Sequence, residues 1–434
     1  MYSLAVQPLY YFCFGVFMFL LSPLLIFKKK ARAGFSQKLG FVPDELRARA
    51  ASLNGCLWFH SVSVGEFNAL LPLLKEFKRL HPDQEVLVST TTATGQALAK
   101  DKCKGLAEVI YFPYDLPFAT ASWLDLIKPS LVAIVETEIW PGFTFEAQKR
   151  GIKLAVVNGR MSPRSFKGYK RFAAFFSPVI GRFASIGVQS KEEAERYRAL
   201  SQEARVEVLG NLKFDGLRPI SPERKQALQE SLGLGDQSFV FVAGSTHDGE
   251  EIACLNALSL LVAKQIKSRL IIVPRHPERF DAVERLIGQC GYKVLRHSRN
   301  DRFSGQENEV YLLDTIGKLF EFYSVADLAF VGGTIARVGG HNLMEPYAYA
   351  VPAIAGHHVY KTRDVCDSLL AAGAITLVEA SELPALVLAL AMDGEKRKAM
   401  GHSGEQVLLS SQGAVAKAVT MLESLLYNSG KSTK

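Results

Sequence analysis

The 434-residue chain has little of what usually marks metal, redox or nucleic-acid chemistry. Its six cysteines, Cys13, Cys56, Cys103, Cys254, Cys290 and Cys366, are scattered and form no CxxC pair. Reduced thiols in a cytoplasmic body are therefore expected. No HxxxH spacing joins its nine histidines and no DxD pair occurs, which argues against a bound catalytic metal. The net charge of +8 is spread along the chain, with no basic helix and no aromatic-basic interleave, so nucleic acid is not an expected partner. A phosphorylated substrate or an anionic lipid suits such a charge as well. One long stretch, residues 9–27, lacks charge altogether, and no Lys or Arg precedes it.

That stretch, LYYFCFGVFMFLLSPLLIF, would run about 28 Å as a helix, close to the hydrocarbon thickness of a bilayer. The cluster Lys28-Lys29-Lys30-Ala31-Arg32 follows it, the reverse of the charge order in a signal peptide. The positive-inside rule then leaves the body in the cytoplasm. Pro23 leaves a rival reading open, in which the segment lies in the membrane plane.

The length calls for two or three domains, and 48% hydrophobic residues suit buried parallel sheets. From Cys56 onward, apolar runs of strand length alternate with amphipathic runs of helix length. Strands are expected at 85–89, 108–112, 130–135, 153–157, 185–188 and 206–209, the pattern of a doubly wound parallel sheet. Asp215-Gly216, Pro219 and Pro222 read as breakers. A second series follows at 239–243, 270–273, 292–295, 310–313 and 328–331. The expected α/β architecture is an anchor over 1–32, a Rossmann-like acceptor-side domain over 33–212, a linker over 213–236, and a second Rossmann-like domain over 237–434. The two Rossmann-like domains are expected to face a cleft.

The chain is organised around WFHSVSVGEFNALLPLLKEF, residues 58–77: an apolar run, a small-residue loop, then Leu70, Leu71, Leu74 and Phe77 at helical spacing. Glu66 stands at the mouth of this strand, turn and helix, where α/β sheets bind ligands. It has a second reading, as a first-turn acid that complements the helix dipole. The second half echoes the first with SFVFVAG followed by Ser245-Thr246-His247-Asp248-Gly249-Glu250-Glu251. Glu136 and Glu138, in LVAIVETEIWP, share a face only if the strand extends to them; otherwise they are solvated acids. VEVLGNLKFD ends the first half with Asn211 and Lys213. Arg275 follows a strand and is placed for phosphate. FVGGTIARVGGHNLMEP carries two glycine pairs in an expected strand-to-helix turn, where backbone amides approach a phosphate and Glu345 takes ribose hydroxyls.

Together these segments resemble the Kdo transferases, membrane-anchored glycosyltransferases of the two-Rossmann, glycosyltransferase-B type. The matching stretches are WFHSVSVGE, VETEIWP, VNGRMS, GNLKFD, AGSTHDGEE, PRHPERF, DTIGKL, FVGGT and VGGHNLMEP, nine in the family's order. The resemblance implies transfer of 3-deoxy-D-manno-octulosonic acid (Kdo) from CMP-Kdo to a lipid A precursor in lipopolysaccharide synthesis. By it, transfer is inverting, with no cofactor and no metal, at the cytoplasmic face of the inner membrane. By the same resemblance Glu66 is the general base, and Glu136 and Lys213 stabilise the transition state. Pro274, Arg275, Ile316, Gly317, Lys318, Asn342, Leu343, Met344 and Glu345 are the CMP contacts. The chain departs from the family at Lys318, where an acid is common. Two alternatives remain: a nucleotide-sugar epimerase of the same fold, and a membrane-tethered nucleotide-binding protein without turnover.

Overall fold

The computed structural model describes residues 3–27, 32–235 and 238–427. Lys28, Lys29, Lys30 and Ala31 of the expected basic flank, and Asp236 of the expected linker, lie outside the described residues.

The chain divides into two compact units, one of residues 1–216 with 412–434 and the other of residues 217–411. The first holds a seven-stranded parallel sheet in the order β3-β2-β1-β4-β5-β6-β7. Its strands are β1 (Leu57–His60), β2 (Val86–Thr90), β3 (Glu108–Tyr111), β4 (Leu131–Val135), β5 (Lys153–Gly159), β6 (Ser185–Val188) and β7 (Val206–Val208). Period-two alternation divides each central strand between two cores. Trp58, Leu87, Val132 and Val156 enter one, and Leu57, Phe59, Val86, Val88, Leu131 and Ala133 enter the other. Burial on both faces explains why these strands read as unbroken apolar runs.

The second unit has another seven-stranded parallel sheet, in the order β10-β11-β9-β8-β12-β13-β14. Its strands are β8 (Phe239–Thr246), β9 (Ser268–Pro274), β10 (Lys293–Arg296), β11 (Glu309–Leu312), β12 (Leu328–Val331), β13 (Ala353–Ala355) and β14 (Ile375–Leu377). The last two are three residues each, too short to leave a periodic signal in the sequence. In both sheets the strand order reverses beside the first strand, between β1 and β4 and between β8 and β12. Such switch points open a crevice at the carboxyl ends of the strands.

The structure departs from the expected boundaries at both ends of the second unit. The boundary between the units falls after Gly216, inside the linker expected over 213–236, and that stretch holds much of two helices, Leu212–Asp215 and Pro222–Leu232. The last helix, Ala414–Tyr427, belongs with the first unit, where Val415, Ala418, Val419 and Leu422 complete the core on one face of that sheet. A buried stripe of that kind names no partner in its own sequence.

The apolar N-terminal stretch forms one helix, Ser3–Phe27. The expected membrane span is not what the structure gives, because among the described residues no helix is long and apolar enough to cross a membrane. The helix is tied to the first unit instead. Tyr10 donates a hydrogen bond of 2.5 Å to Asp115 and packs at 5.6 Å on Phe175. Asp115 also accepts from the backbone N–H groups of Gly142 and Phe143, at the start of helix Pro141–Lys149. Burial pushes the Asp115 carboxyl up to about 6 despite these three donors. Phe12, Phe17, Phe19 and Leu20 of the same helix remain exposed.

Candidate active site

In the first unit, β1 passes through Ser61–Ser63 into helix Val64–Leu80, with Ser63 as its N-cap. The sequence S-V-G-E builds a reciprocal cap. The Ser63 hydroxyl accepts from the Glu66 N–H, and Glu66 accepts from the Val62 N–H at 2.7 Å and from the Ser63 hydroxyl at 3.1 Å. Glu66 is thus a capping residue as well as a carboxylate at the switch point. Burial raises its pKa above the ordinary Glu value, with Glu136 adding to the rise, while the Val62 N–H and Lys213 act against it.

β4 ends at Val135, and Glu136 takes a left-handed backbone, φ 62°, at a cost of about 1–3 kcal/mol for a non-glycine residue. The period-two relation expected for Glu136 and Glu138 therefore does not arise, because the chain turns between them. Both carboxylates still lie close enough to Glu66 to be felt. Burial first, then Glu66 and Glu136, push Glu138 up to about 7.

Lys213 closes the group with an ion pair of 3.0 Å to Glu136. Three groups fix the short helix that carries it. The Asn211 side chain accepts from the Lys213 N–H, the buried Asn158 accepts from the Leu212 N–H, and Asp215 caps the last helix through Gly413 and Val415. Glu66, Glu136, Glu138 and Lys213 are thereby brought together at one switch point.

In the second unit, Pro274 ends β9 and the Arg275 N–H bonds to Thr246, placing both beside the end of β8. Among the described residues Arg275 has no ion-pair partner, although Glu345 feels its charge. Burial pushes Glu345 up to about 7, and Asn342 donates to its carboxylate at 3.1 Å. Asn342 also accepts from the Met344 N–H, and Leu343 and Met344 are buried beneath. Ile316 is exposed, Gly317 has φ 82°, and Lys318 lies 4.0 Å from Glu321. The helix that follows this loop packs on the end of β8, since a Cβ at Gly244 would meet Leu319 at 3.0 Å.

The glycine pairs do not play the part expected of them. No α-helix follows them; the stretch runs into a 3₁₀ turn at Pro346–Tyr349, so it has no helix dipole to offer an anion. Their amides are also engaged. Glu250 accepts from the N–H groups of Gly333, Thr334, Ile335 and Ala336, and also from His247. Gly339 and Gly340 both donate to the Gly333 carbonyl. An internal carboxylate occupies the nest that the sequence offers to a phosphate. Gly332 is needed for a steric reason, as a Cβ there would lie 2.3 Å from the Ser245 carbonyl.

The profile of the family described as 3-deoxy-D-manno-octulosonic-acid transferase (kdotransferase) matches residues 33–216. A 3-deoxy-D-manno-octulosonic acid transferase of Haemophilus influenzae is 30% identical over 373 residues, 85% of this chain and 87% of that protein. The chain belongs to the Kdo transferase family. The transferase of the same name from Chlamydophila psittaci is also 30% identical, across 92% of both chains. A crystal structure of a glycosyltransferase from Rickettsia africae covers 87% of this chain and all of its own at a TM-score of 0.58 and 12% identity, a likeness of fold. As a member of this family the chain is a glycosyltransferase, and each of its two units is a parallel-sheet α/β domain, as in glycosyltransferase-B folds.

Sequence reasoning missed the roles of Asn158, Asp215 and Glu250, each of which acts by holding a distant backbone segment. Glu250 had a signal: the Gly-Glu that follows β8 repeats the Gly65-Glu66 that follows β1.

Proposed function

We propose that the chain moves Kdo from CMP-Kdo to a hydroxyl of a lipid A precursor in one inverting displacement. The observation that carries this reading is the convergence of Glu66, Glu136 and Lys213 at the switch point of the first sheet. One carboxylate there has its pKa raised by burial, and one cation is held by an ion pair. In the step, a lone pair of Glu66 takes the acceptor's hydroxyl proton as the new O–C bond forms at the anomeric carbon. The bond from that carbon to the phosphate oxygen breaks, and CMP leaves with the electron pair. Glu136 and Lys213, ion-paired with each other, stabilise the charge of the transition state. The second unit holds the nucleotide through Pro274, Arg275, the loop of Ile316, Gly317 and Lys318, and Asn342 to Glu345. A contact to the 316–318 loop survives Lys318 where it runs through the backbone.

No metal enters this scheme. Incubating the full chain with CMP-Kdo and lipid A precursor should add mass in Kdo increments, at the same rate with excess chelator present. No mass gain, or a chelator-sensitive rate restored by magnesium or manganese, overturns the corresponding part of the scheme.

The acceptor is a lipid, and the proposed location is the cytoplasmic face of the inner membrane. Helix Ser3–Phe27 lies along that surface rather than across it, with Phe12, Phe17, Phe19 and Leu20 toward the lipid. Burying one Phe in lipid stabilises by about 1.5–3 kcal/mol. Phe17→Asp should therefore lower the rate on vesicles roughly tenfold or more and leave it unchanged with detergent-dispersed acceptor. Equal rates on vesicles would remove the helix from acceptor access. This variant is a cleaner test than deleting the helix, because deletion also takes the Tyr10 donor from Asp115.

A further inference from the structure

The carboxyl edge of the second sheet carries a set of imidazoles that the proposed chemistry has not used. His247 follows β8, His276 follows β9, and His341 lies in the glycine-rich loop after β12. The Nε2 atoms of His247 and His341 are 2.8 Å apart, with the rings within 3° of parallel. His276 stands edge-on to His247 at 5.3 Å. Gly333, at φ 71°, makes room for the pair, as a Cβ there would come within 3.0 Å of His341 and 3.4 Å of His247.

A nitrogen-to-nitrogen contact of this length needs one N–H and one lone pair. The pair therefore holds no positive charge or one, never two. Its surroundings oppose even one. Burial, then His247, Arg275, Lys361 and His276, press His341 down to about 4. Burial, His276 and Arg279 lower His247, with Glu251 opposing them. The carboxylates in the neighbourhood are engaged elsewhere. Glu251 and Asp248 pair with Arg279, Glu250 is saturated by backbone N–H groups, and Glu345 accepts from Asn342. Glu278 is 3.9 Å from His276. The result is an edge rich in cations and imidazoles, with Arg275 lacking a counter-ion among the described residues. With the glycine amides engaged by Glu250 and by the Gly244 and Gly333 carbonyls, these side chains are left to meet an anion at this edge.

We propose that His247, His341 and His276, with Arg275, form the subsite for the phosphate of the bound nucleotide, and that the His247–His341 pair takes up one proton as that anion binds. The anion supplies the charge that the pair lacks in the empty site and reverses the balance against protonation. The proposal rests on the nucleotide reading above and adds to it the groups that recognise the phosphate and a coupled proton.

The test uses the full chain and the methyl phosphodiester of CMP, whose single phosphate charge does not titrate between pH 5.5 and 8. Cytidine, which has no phosphate, and free Kdo, which has a carboxylate and no phosphate, are the comparison ligands. Over the window in which one proton is taken up, Kd for the ester should rise about tenfold per pH unit. Calorimetry in two buffers of different ionisation enthalpy should show uptake approaching one proton, and cytidine should show neither effect. His341→Asn and His247→Asn should bind the ester at least about tenfold more weakly at pH 6, with a flat pH profile and unchanged cytidine affinity. His276→Gln, at an exposed site where folding is not at stake, should weaken the ester several-fold; His402→Asn, on a distant helix, should behave as wild type. A pH slope that persists in both pair variants, an unweakened His276→Gln, or a slope that appears with Kdo and not with the ester overturns the phosphate subsite while leaving the nucleotide reading intact. A wild-type chain that binds neither cytidine nor the ester overturns both.

Discussion

Glu66→Gln is expected to keep the first unit folded and the nucleotide bound while lowering turnover by about 10² to 10⁴. The variant separates two roles that one side chain holds. As a cap, Glu66 accepts from Val62 and Ser63, and glutamine is tolerated at that position of a capping box, so stability should change by less than about 1 kcal/mol. As a base, an amide takes no proton, so the chemical step loses its acceptor. The pH profile gives a second reading. A base works only when ionised, so the wild-type rate should fall as pH drops through the Glu66 pKa. Burial places that limb above the ordinary Glu range. The residual rate of the variant should lack it. Lys213→Met should move the wild-type limb further up, because the cation opposes the rise. Steady-state rates across pH, with thermal melting as the folding control, decide the matter. Near-wild-type turnover by Glu66→Gln would leave Glu66 a cap alone.

Glu250→Ala should produce the largest loss of stability. One buried carboxylate satisfies five backbone N–H groups, from His247 and from Gly333 to Ala336, across the switch point of the second sheet. A buried donor left unpaired costs about 1–3 kcal/mol. Some of the five will find water once the side chain is gone, so a loss of about 4 kcal/mol or more is expected, a large share of a domain's net stability. Glu250→Gln should fall between, since its carbonyl serves the three donors on one oxygen while its NH₂ meets the N–H groups of His247 and Gly333. Denaturant unfolding of the three proteins should rank them wild type, Gln, Ala. An alanine variant within 1 kcal/mol of wild type would mean that water replaces the carboxylate in the nest. Burial raises the Glu250 pKa while the backbone donors lower it, and desolvation is the larger effect. The raised value makes this group's contribution greatest at low pH and smaller as pH rises through its folded pKa.

The amino-acid sequence by itself determined the α/β class, twelve of the fourteen strands, and the placing of Glu66 at a helix start and of Arg275 directly after a strand. It could do so because strands buried on both faces must be apolar throughout, and because caps and turns are local chemistry. WFHSVSVGE contains its own cap, turn and helix start. What it left undecided depends on contacts between distant segments. The sequence offers two glycine pairs to a phosphate, and only the fold shows their amides engaged, Gly333 by Glu250 more than eighty residues away and the others by backbone carbonyls. Glu136 and Glu138 are two residues apart in both accounts, but a left-handed backbone at Glu136 removes the shared face. The residues 9–27 read as a membrane span from apolarity alone, whereas Tyr10 and Asp115 tie that helix to the first unit. The last helix carries an ordinary apolar stripe, and tertiary packing assigned it to the first sheet. His247 and His341 are 94 residues apart, and only the chain reversal at the β8–β12 switch point brings their nitrogens to 2.8 Å. Apolar periodicity is written residue by residue, whereas the partner of a buried polar group is chosen by topology.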